Sequence, residues 1–366
     1  MARRPSVGAV LAGLEAEGLL DTGSGSRARA ALEAHQRTDV ATPWFVKALA
    51  GFGAWVAAAF LLSFFACVGL WKEDVAMMVL GLVLCGGATA LRRTGRGVFL
   101  EQLALALCIA GSMMVSVGMA QALDSELAPA FVQLVLGPAL LVFFPDAILR
   151  FLTSASMAAS AVFLLTEAFD VVGLQLALLA CAVLVHWLFL EGARLRRGRW
   201  GDLVGPAAYA LACGVLGGLM TIGVLRRLGG SPTGGFKVPD DGLLTLGLTA
   251  VTLYTAWRVM KELELEPAGV AGAAVFAALA VTALLTLHTP ALICAVGLLV
   301  LGFHRRGMEL VGLAAAFLLA AGSWYYYDLG LTLLAKALAL TGSGLVFLGL
   351  RLFLLRRFPA AAAEVR

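Results

Sequence analysis

One ammonium group, Lys336, stands inside SWYYYDLGLTLLAKALALTGSGLVFL (residues 323–348), which otherwise reads as membrane-buried helix. Lys336 lies eight residues beyond Asp328. That is ~12 Å along a helix from the outer aromatic belt of Trp324, Tyr325, Tyr326 and Tyr327. A charge at such depth costs ~2.5 to 3.5 kcal/mol on insertion scales unless it finds water or a partner. Lys336 is therefore expected to face the bundle interior as a polar anchor, with a substrate-binding cation as the alternative. Asp328 and Tyr326 are the polar candidates at the neighbouring boundary.

Other residues with chemical potential are fewer. Glu101, in GVFLEQLALAL, comes just inside a boundary, within reach of head-group water or of Arg93 and Arg96. Its neighbour Gln102 can hydrogen-bond between helices, as can Gln133. In LVLGPALL, Gly137 and Pro138 fall near the middle of a short span, and Pro138 has no N–H for the preceding turn. The helix is expected to kink or break there. Broken helices at mid-membrane expose backbone groups to solutes in secondary transporters, and proline kinks also occur in passive bundles. Gly214 and Gly218 have GxxxG spacing, which suits close helix packing.

Neither the cysteines nor the histidines carry chemistry by their spacing. Cys67, Cys85, Cys108, Cys181, Cys213 and Cys294 all lie in apolar runs without a CxxC pair. His35, His186, His288 and His304 lack zinc-helix spacing, and three of them lie near expected membrane interfaces. GSPTGGFK (residues 230–237) resembles a phosphate loop only superficially, because Phe236 stands where the lysine belongs and no strand precedes it. With no nucleophile–base pair or metal cluster to read, the expectation is a protein that is not an enzyme and holds no cofactor.

The elements that must position these residues are membrane spans. Hydrophobic residues make up 61% of the chain and charged residues 14%, against roughly 25% charged in a soluble domain. Mean hydropathy is +0.93. Apolar runs of about 20 residues, enough to cross a ~30 Å hydrocarbon core, recur from Trp44 almost to the C-terminus. Gly, Pro and charge clusters divide them into twelve expected spans: 44–70, 73–91, 98–120, 128–144, 147–166, 171–190, 203–225, 243–260, 268–287, 289–303, 310–327 and 330–355.

Charge orients them. With the N-terminus inside, twenty-two of the 27 Lys and Arg residues fall on cytoplasmic segments and four outside, with Lys336 left within a span. This satisfies the positive-inside rule and predicts both termini in the cytoplasm. The net charge of +4 thus informs orientation in a lipid bilayer, with no nucleic-acid partner implied. Span 289–303 is short, but making it re-entrant would move Arg305, Arg306 and the C-terminal arginines outside. Ahead of the spans, VGAVLAGLEAEGLL and SRARAALEAHQ flank the breaker DTGSGS, which predicts a short cytoplasmic helical hairpin. The expected divisions are a cytoplasmic helical segment over 1–43, a polytopic all-α bundle over 44–357 and a cytoplasmic tail over 358–366. No cleavable signal peptide is expected ahead of Trp44.

Several blocks resemble the bacterial membrane proteins of domain of unknown function 4401. They are PWFVKALAGFGAW, FLEQLALALCIAG, FPDAILRFL and the long stretch TPALICAVGLLVLGFHRRGMELVGLAAAFLLAAGSWYYYDLGLTLLAKALALTGSGLVFLGLRLFLLRR. The resemblance implies an inner-membrane location and no established activity. It also implies a small membrane-anchored partner bearing a GDYXXLXY motif. Where the family pattern places an acid before the last-helix lysine (LLEKS), this chain has Leu334-Ala335-Lys336-Ala337. The expected function is a non-enzymatic membrane subunit or scaffold working through a partner; the alternative is a secondary transporter for a small solute.

Overall fold

A computed structural model describes residues 7–18, 24–25, 27–28, 30, 44–69, 73–95, 97–198, 201–227, 241–328, 341 and 348. Twelve helices and no strand are present among these residues. They are α1 (Val7–Ala16), α2 (Trp44–Cys67), α3 (Asp74–Thr94), α4 (Val98–Leu123), α5 (Ala128–Phe143) and α6 (Ala147–Leu190), followed by α7 (Gly192–Leu195), α8 (Gly201–Arg227), α9 (Asp241–Glu262), α10 (Val270–Leu285), α11 (Pro290–His304) and α12 (Met308–Asp328). Seven are long and apolar enough to cross a membrane, and α5, α10 and α11 are shorter apolar helices. The first arm of the expected N-terminal hairpin is α1. Most of its second arm, Lys336 and the last expected span lie outside the described residues.

The chain divides into two compact units, Met1–Gly118 and Met119–Arg366. In the first, α3 and α4 approach closely because both lack side chains at the contact. A side-chain carbon on Gly81 or on Gly111 would come within 2.6 Å of the other's carbonyl oxygen. The Cys85 thiol reaches the Cys108 carbonyl at 3.5 Å along the same seam. Small residues serve this purpose in lipid, where close van der Waals packing replaces the hydrophobic effect between helices. Phe45, Leu49, Phe52, Phe60 and Phe64 of α2 are exposed, as a lipid-facing surface requires.

In the second unit α6 packs mainly on α8 and α5, while α11 packs on α12 and α9. The 44-residue α6 is two helices in one run, because Asp170 has left-handed φ 54°, ψ −138°. Ala158 and Val162 from its first half and Leu174 and Leu178 from its second line one cavity of about 390 Å³. A straight helix would hold Ala158 and Leu178 ~30 Å apart. The chain therefore doubles back at Asp170, where the sequence predicts a turn between two spans. The reversal brings Gly173 against the Leu165 carbonyl, where a side chain would collide. The Asp146 carboxylate caps the start of α6, accepting from the Ile148 and Leu149 amides at 2.9 and 3.1 Å.

Of the two outcomes expected at Pro138, a kink or a break, the structure excludes the break. Helix α5 continues without interruption through Pro138 to Phe143, so the backbone does not break there. Pro138 is exposed, whereas Gly137 is buried and lies so near α6 that a side chain would come within 2.6 Å of the Met157 side chain. The pair thus combines a lost N–H on the outer face with a close approach on the inner one, and five residues of helix beyond Pro138 keep their own hydrogen bonds. Gly218 plays a similar role against Leu178 at 2.9 Å, while Gly214 touches nothing comparable.

Two outcomes follow. Gly137→Leu should destabilise the folded protein in detergent by about 1–3 kcal/mol, the usual cost of overpacking, read as a lowered thermal midpoint. Spin labels at positions 158 and 178 should report a separation far below the ~30 Å of a straight helix. A distance near 30 Å would show that α6 does not reverse.

Candidate functional site

Four threonines on α9, Thr245, Thr249, Thr252 and Thr255, are buried in a bundle whose core is mostly apolar. Their spacing places them along one side of the helix, facing the interior. Thr249 and Thr255 donate back to the carbonyls of Thr245 and Val251 at 2.6 and 2.8 Å, satisfying themselves within the helix. Thr245 instead donates to the Leu287 carbonyl at 2.8 Å, beyond the end of α10. Thr252 donates to Leu248 at 2.9 Å and lies 3.4 Å from the Ile293 carbonyl of α11.

His186 of α6 belongs to the same interior, with 3% of its surface exposed. Its Nδ1 lies 2.8 Å from the Ala182 carbonyl. A carbonyl only accepts, so Nδ1 carries a hydrogen and donates. Nε2 is buried without a hydrogen-bond partner. It faces Gly297 of α11: a side-chain carbon there would sit 3.1 Å from His186 Nε2 and 2.7 Å from Thr252 Oγ1. Gly297 therefore lets three helices meet around two polar groups.

Both ends of this polar line are closed by contacts between helices. At one end the last carbonyls of α10 have no partners within their helix. Thr245 of α9 takes Leu287, and Tyr325 of α12 donates to Leu285 at 2.9 Å. Helix α10 has 16 residues, hence ~24 Å of length against a ~30 Å hydrocarbon core. With water scarce near such a short helix, these donors replace it.

At the other end, Arg258 of α9 pairs with Glu191 after α6 at 2.8 Å. Glu262 receives His304 at 2.7 Å and Arg305 at 3.2 Å, both at the end of α11. Arg305 also donates to the carbonyl of Leu190, the last residue of α6. Tyr209 of α8 donates to Glu309 of α12 at 3.1 Å and packs edge-on against Phe189. The ends of five helices are thereby joined through side chains at a single rim.

The residues singled out from the sequence do not assemble into this site. Glu101 pairs with Arg92 at 3.1 Å rather than with the expected Arg93, and Arg96 lies outside the described residues. Arg92 lies in the last turn of α3 and Glu101 in the first turn of α4, so the pair ties the two helix ends together. Gln102 is half-buried and passes 3.7 Å from where a Gly51 side chain would begin. Tyr326 is half-buried with its ring edge-on to Tyr327 at 5.5 Å. The Asp328 side chain and Lys336 lie outside the described residues. No group of His, Cys, Asp and Glu able to hold a metal occurs among the described residues.

Among known proteins, the family described as a domain of unknown function (DUF4401) matches residues 43–357. No curated protein and no solved structure matches the chain.

The two kinds of threonine bond separate in a stability test. Thr245→Val removes the donor to Leu287 and should cost about 1 kcal/mol. Thr249→Val removes only a bond within its own helix and should cost less. Equal losses in denaturant unfolding from mixed micelles would contradict a capping role for Thr245.

Proposed function

The chain belongs to the DUF4401 family, and we propose that it is a non-enzymatic, multi-pass membrane subunit or scaffold that acts through a partner membrane protein. One observation carries this reading. Several polar side chains of the second unit join one helix to another: Arg258 to Glu191, Glu262 to His304 and Arg305, Tyr209 to Glu309, Thr245 to Leu287. Groups committed in this way stiffen a bundle and offer little to a reacting substrate.

The reading includes twelve spans with both termini in the cytoplasm of a bacterium and a cytoplasmic N-terminal hairpin. The doubled α6 and the short α10 and α11 support that count, since together with the other apolar helices they match the first eleven expected spans. The partner proposed is a small membrane-anchored protein of the GDYXXLXY type. Lys336 is assigned the role of an interior polar anchor, since a lysine in the last apolar run needs a partner to offset its insertion cost.

A secondary transporter is the second reading, and His186 favours it. A buried imidazole nitrogen without a partner inside a membrane bundle is the kind of group that solute and proton pathways use.

Topology is checked with single cysteines. One at Ser125 should react with an impermeant external reagent in intact cells, and one at Gly198, in the arginine-rich turn, should not. Function is checked by purification from native membranes and by reconstitution into proteoliposomes. A stoichiometric small membrane protein should accompany the chain, and Lys336→Met should weaken that association or lower stability in detergent. Solute or proton flux in the absence of any partner, abolished by His186→Phe, would replace the scaffold with the transporter.

A further inference from the structure

Where α6, α8, α11 and α12 end at the arginine-rich rim, they enclose a cavity of about 360 Å³. The cavity between the halves of α6 is walled almost entirely by carbon. This one is lined by three guanidinium side chains, Arg196, Arg305 and Arg306, together with Tyr209 and Glu309. Their charges are unevenly compensated. Arg305 is held by the Leu190 carbonyl and by Glu262, yet its buried Nε has no hydrogen-bond partner. Arg196 and Arg306 form no ion pair among the described residues. Glu309, the acid in the lining, already receives the Tyr209 hydroxyl.

The end of α11 presents Arg306 to the cavity through a defined turn. Arg306 has φ 53°, a left-handed conformation that a non-glycine residue adopts rarely. Hydrogen bonds from the Arg306 amide to Phe303 at 3.2 Å and from the Gly307 amide to Gly302 at 3.0 Å fix the turn. The same left-handed ending closes α4 at Asp124 and α9 at Glu264, so this turn is the helix C-cap of α11 and sets where Arg306 leaves it.

Like charges gathered around one cavity repel each other, and a bound anion reverses the sign of that energy. Guanidinium groups offer planar pairs of N–H donors that match the oxygens of a phosphate. The volume falls within the range of small-ligand sites. Apolar neighbours, Leu188, Phe189 and Leu310, line the same cavity and leave room for an aliphatic portion of a ligand. We propose that this cavity binds a phosphate group, carried either by an anionic phospholipid or by a soluble phosphorylated compound.

The test uses the full chain in detergent and in lipid nanodiscs, with inorganic pyrophosphate as the soluble probe and phosphatidylglycerol against phosphatidylcholine as the lipid probe. Calorimetry reads pyrophosphate binding, and native mass spectrometry reads retained lipid. The Arg196→Gln/Arg306→Gln variant should weaken binding about tenfold or more. Arg194→Gln, which does not line the cavity, should leave it unchanged. Pyrophosphate binding without lipid selectivity identifies a soluble ligand, and selective retention of phosphatidylglycerol without pyrophosphate binding identifies a head group; either supports the site. Absence of both, or equal binding by the native protein and the double variant, overturns it. Arg306→Gln alone, in an exposed turn, reads the same loss if the double variant does not fold.

Discussion

A backbone carbonyl at the end of a helix has no partner within that helix, and in lipid it finds no water. The second unit is arranged around this constraint. Helices α10 and α11 have 16 and 15 residues, shorter than the full thickness of a hydrocarbon core requires. Donors come from other helices: Thr245 and Tyr325 serve the end of α10, and Arg305, at the end of α11, serves the end of α6. Each cap comes from a different helix than the carbonyl it satisfies, so capping and tertiary assembly are the same interaction. This explains why α9, with its buried threonines, lies against α6, α10 and α11.

Close approach of the backbones follows from the same geometry. A threonine hydroxyl reaches only a neighbouring helix that comes near, and Gly297 lets α11 come near both Thr252 and His186. Gly137 does the same for α5 against Met157 of α6. At the charged rim the longer side chains of Arg258, Glu262, Arg305 and Glu191 span wider gaps. The bundle thus uses short hydroxyls where helices touch and ion pairs at the rim. The arginine-lined cavity lies at that rim, where Arg196 and Arg306 form no ion pair among the described residues.

Apolar run length and turn chemistry made the helices legible in the sequence. Helices starting at Trp44, Val98, Ala128 and Ala147 begin at the expected residues, and Asp170 divides α6 where the turn was expected. The site was far less legible. Glu191 and Arg258 are 67 residues apart, and Arg305 lies 115 residues from Leu190. Rim charges read one at a time report orientation and conceal pairing. Threonines inside an apolar run raise no signal, because each can satisfy itself against its own helix, and only the fold shows that Thr245 does not. His186 stands near the end of its apolar run, and spacing alone does not show that Gly297 packs against it and that it is buried. The close approach of Gly137 to Met157 of α6, next to an exposed Pro138, is likewise a matter of packing that spacing does not reveal.

The dependence of the second unit on rim contacts is tested most directly by a double-mutant cycle on Arg305 and Glu262, using Arg305→Met, Glu262→Leu and the pair in reversible unfolding from mixed micelles. If these side chains hold the ends of α6, α9 and α11 together, the coupling energy should fall within the ~0.5 to 3 kcal/mol seen for residues in one network. Each single variant should also cost something beyond the shared pair, because Arg305→Met strips the Leu190 carbonyl of its donor and Glu262→Leu strips His304 of its acceptor. Strictly additive losses would contradict the account.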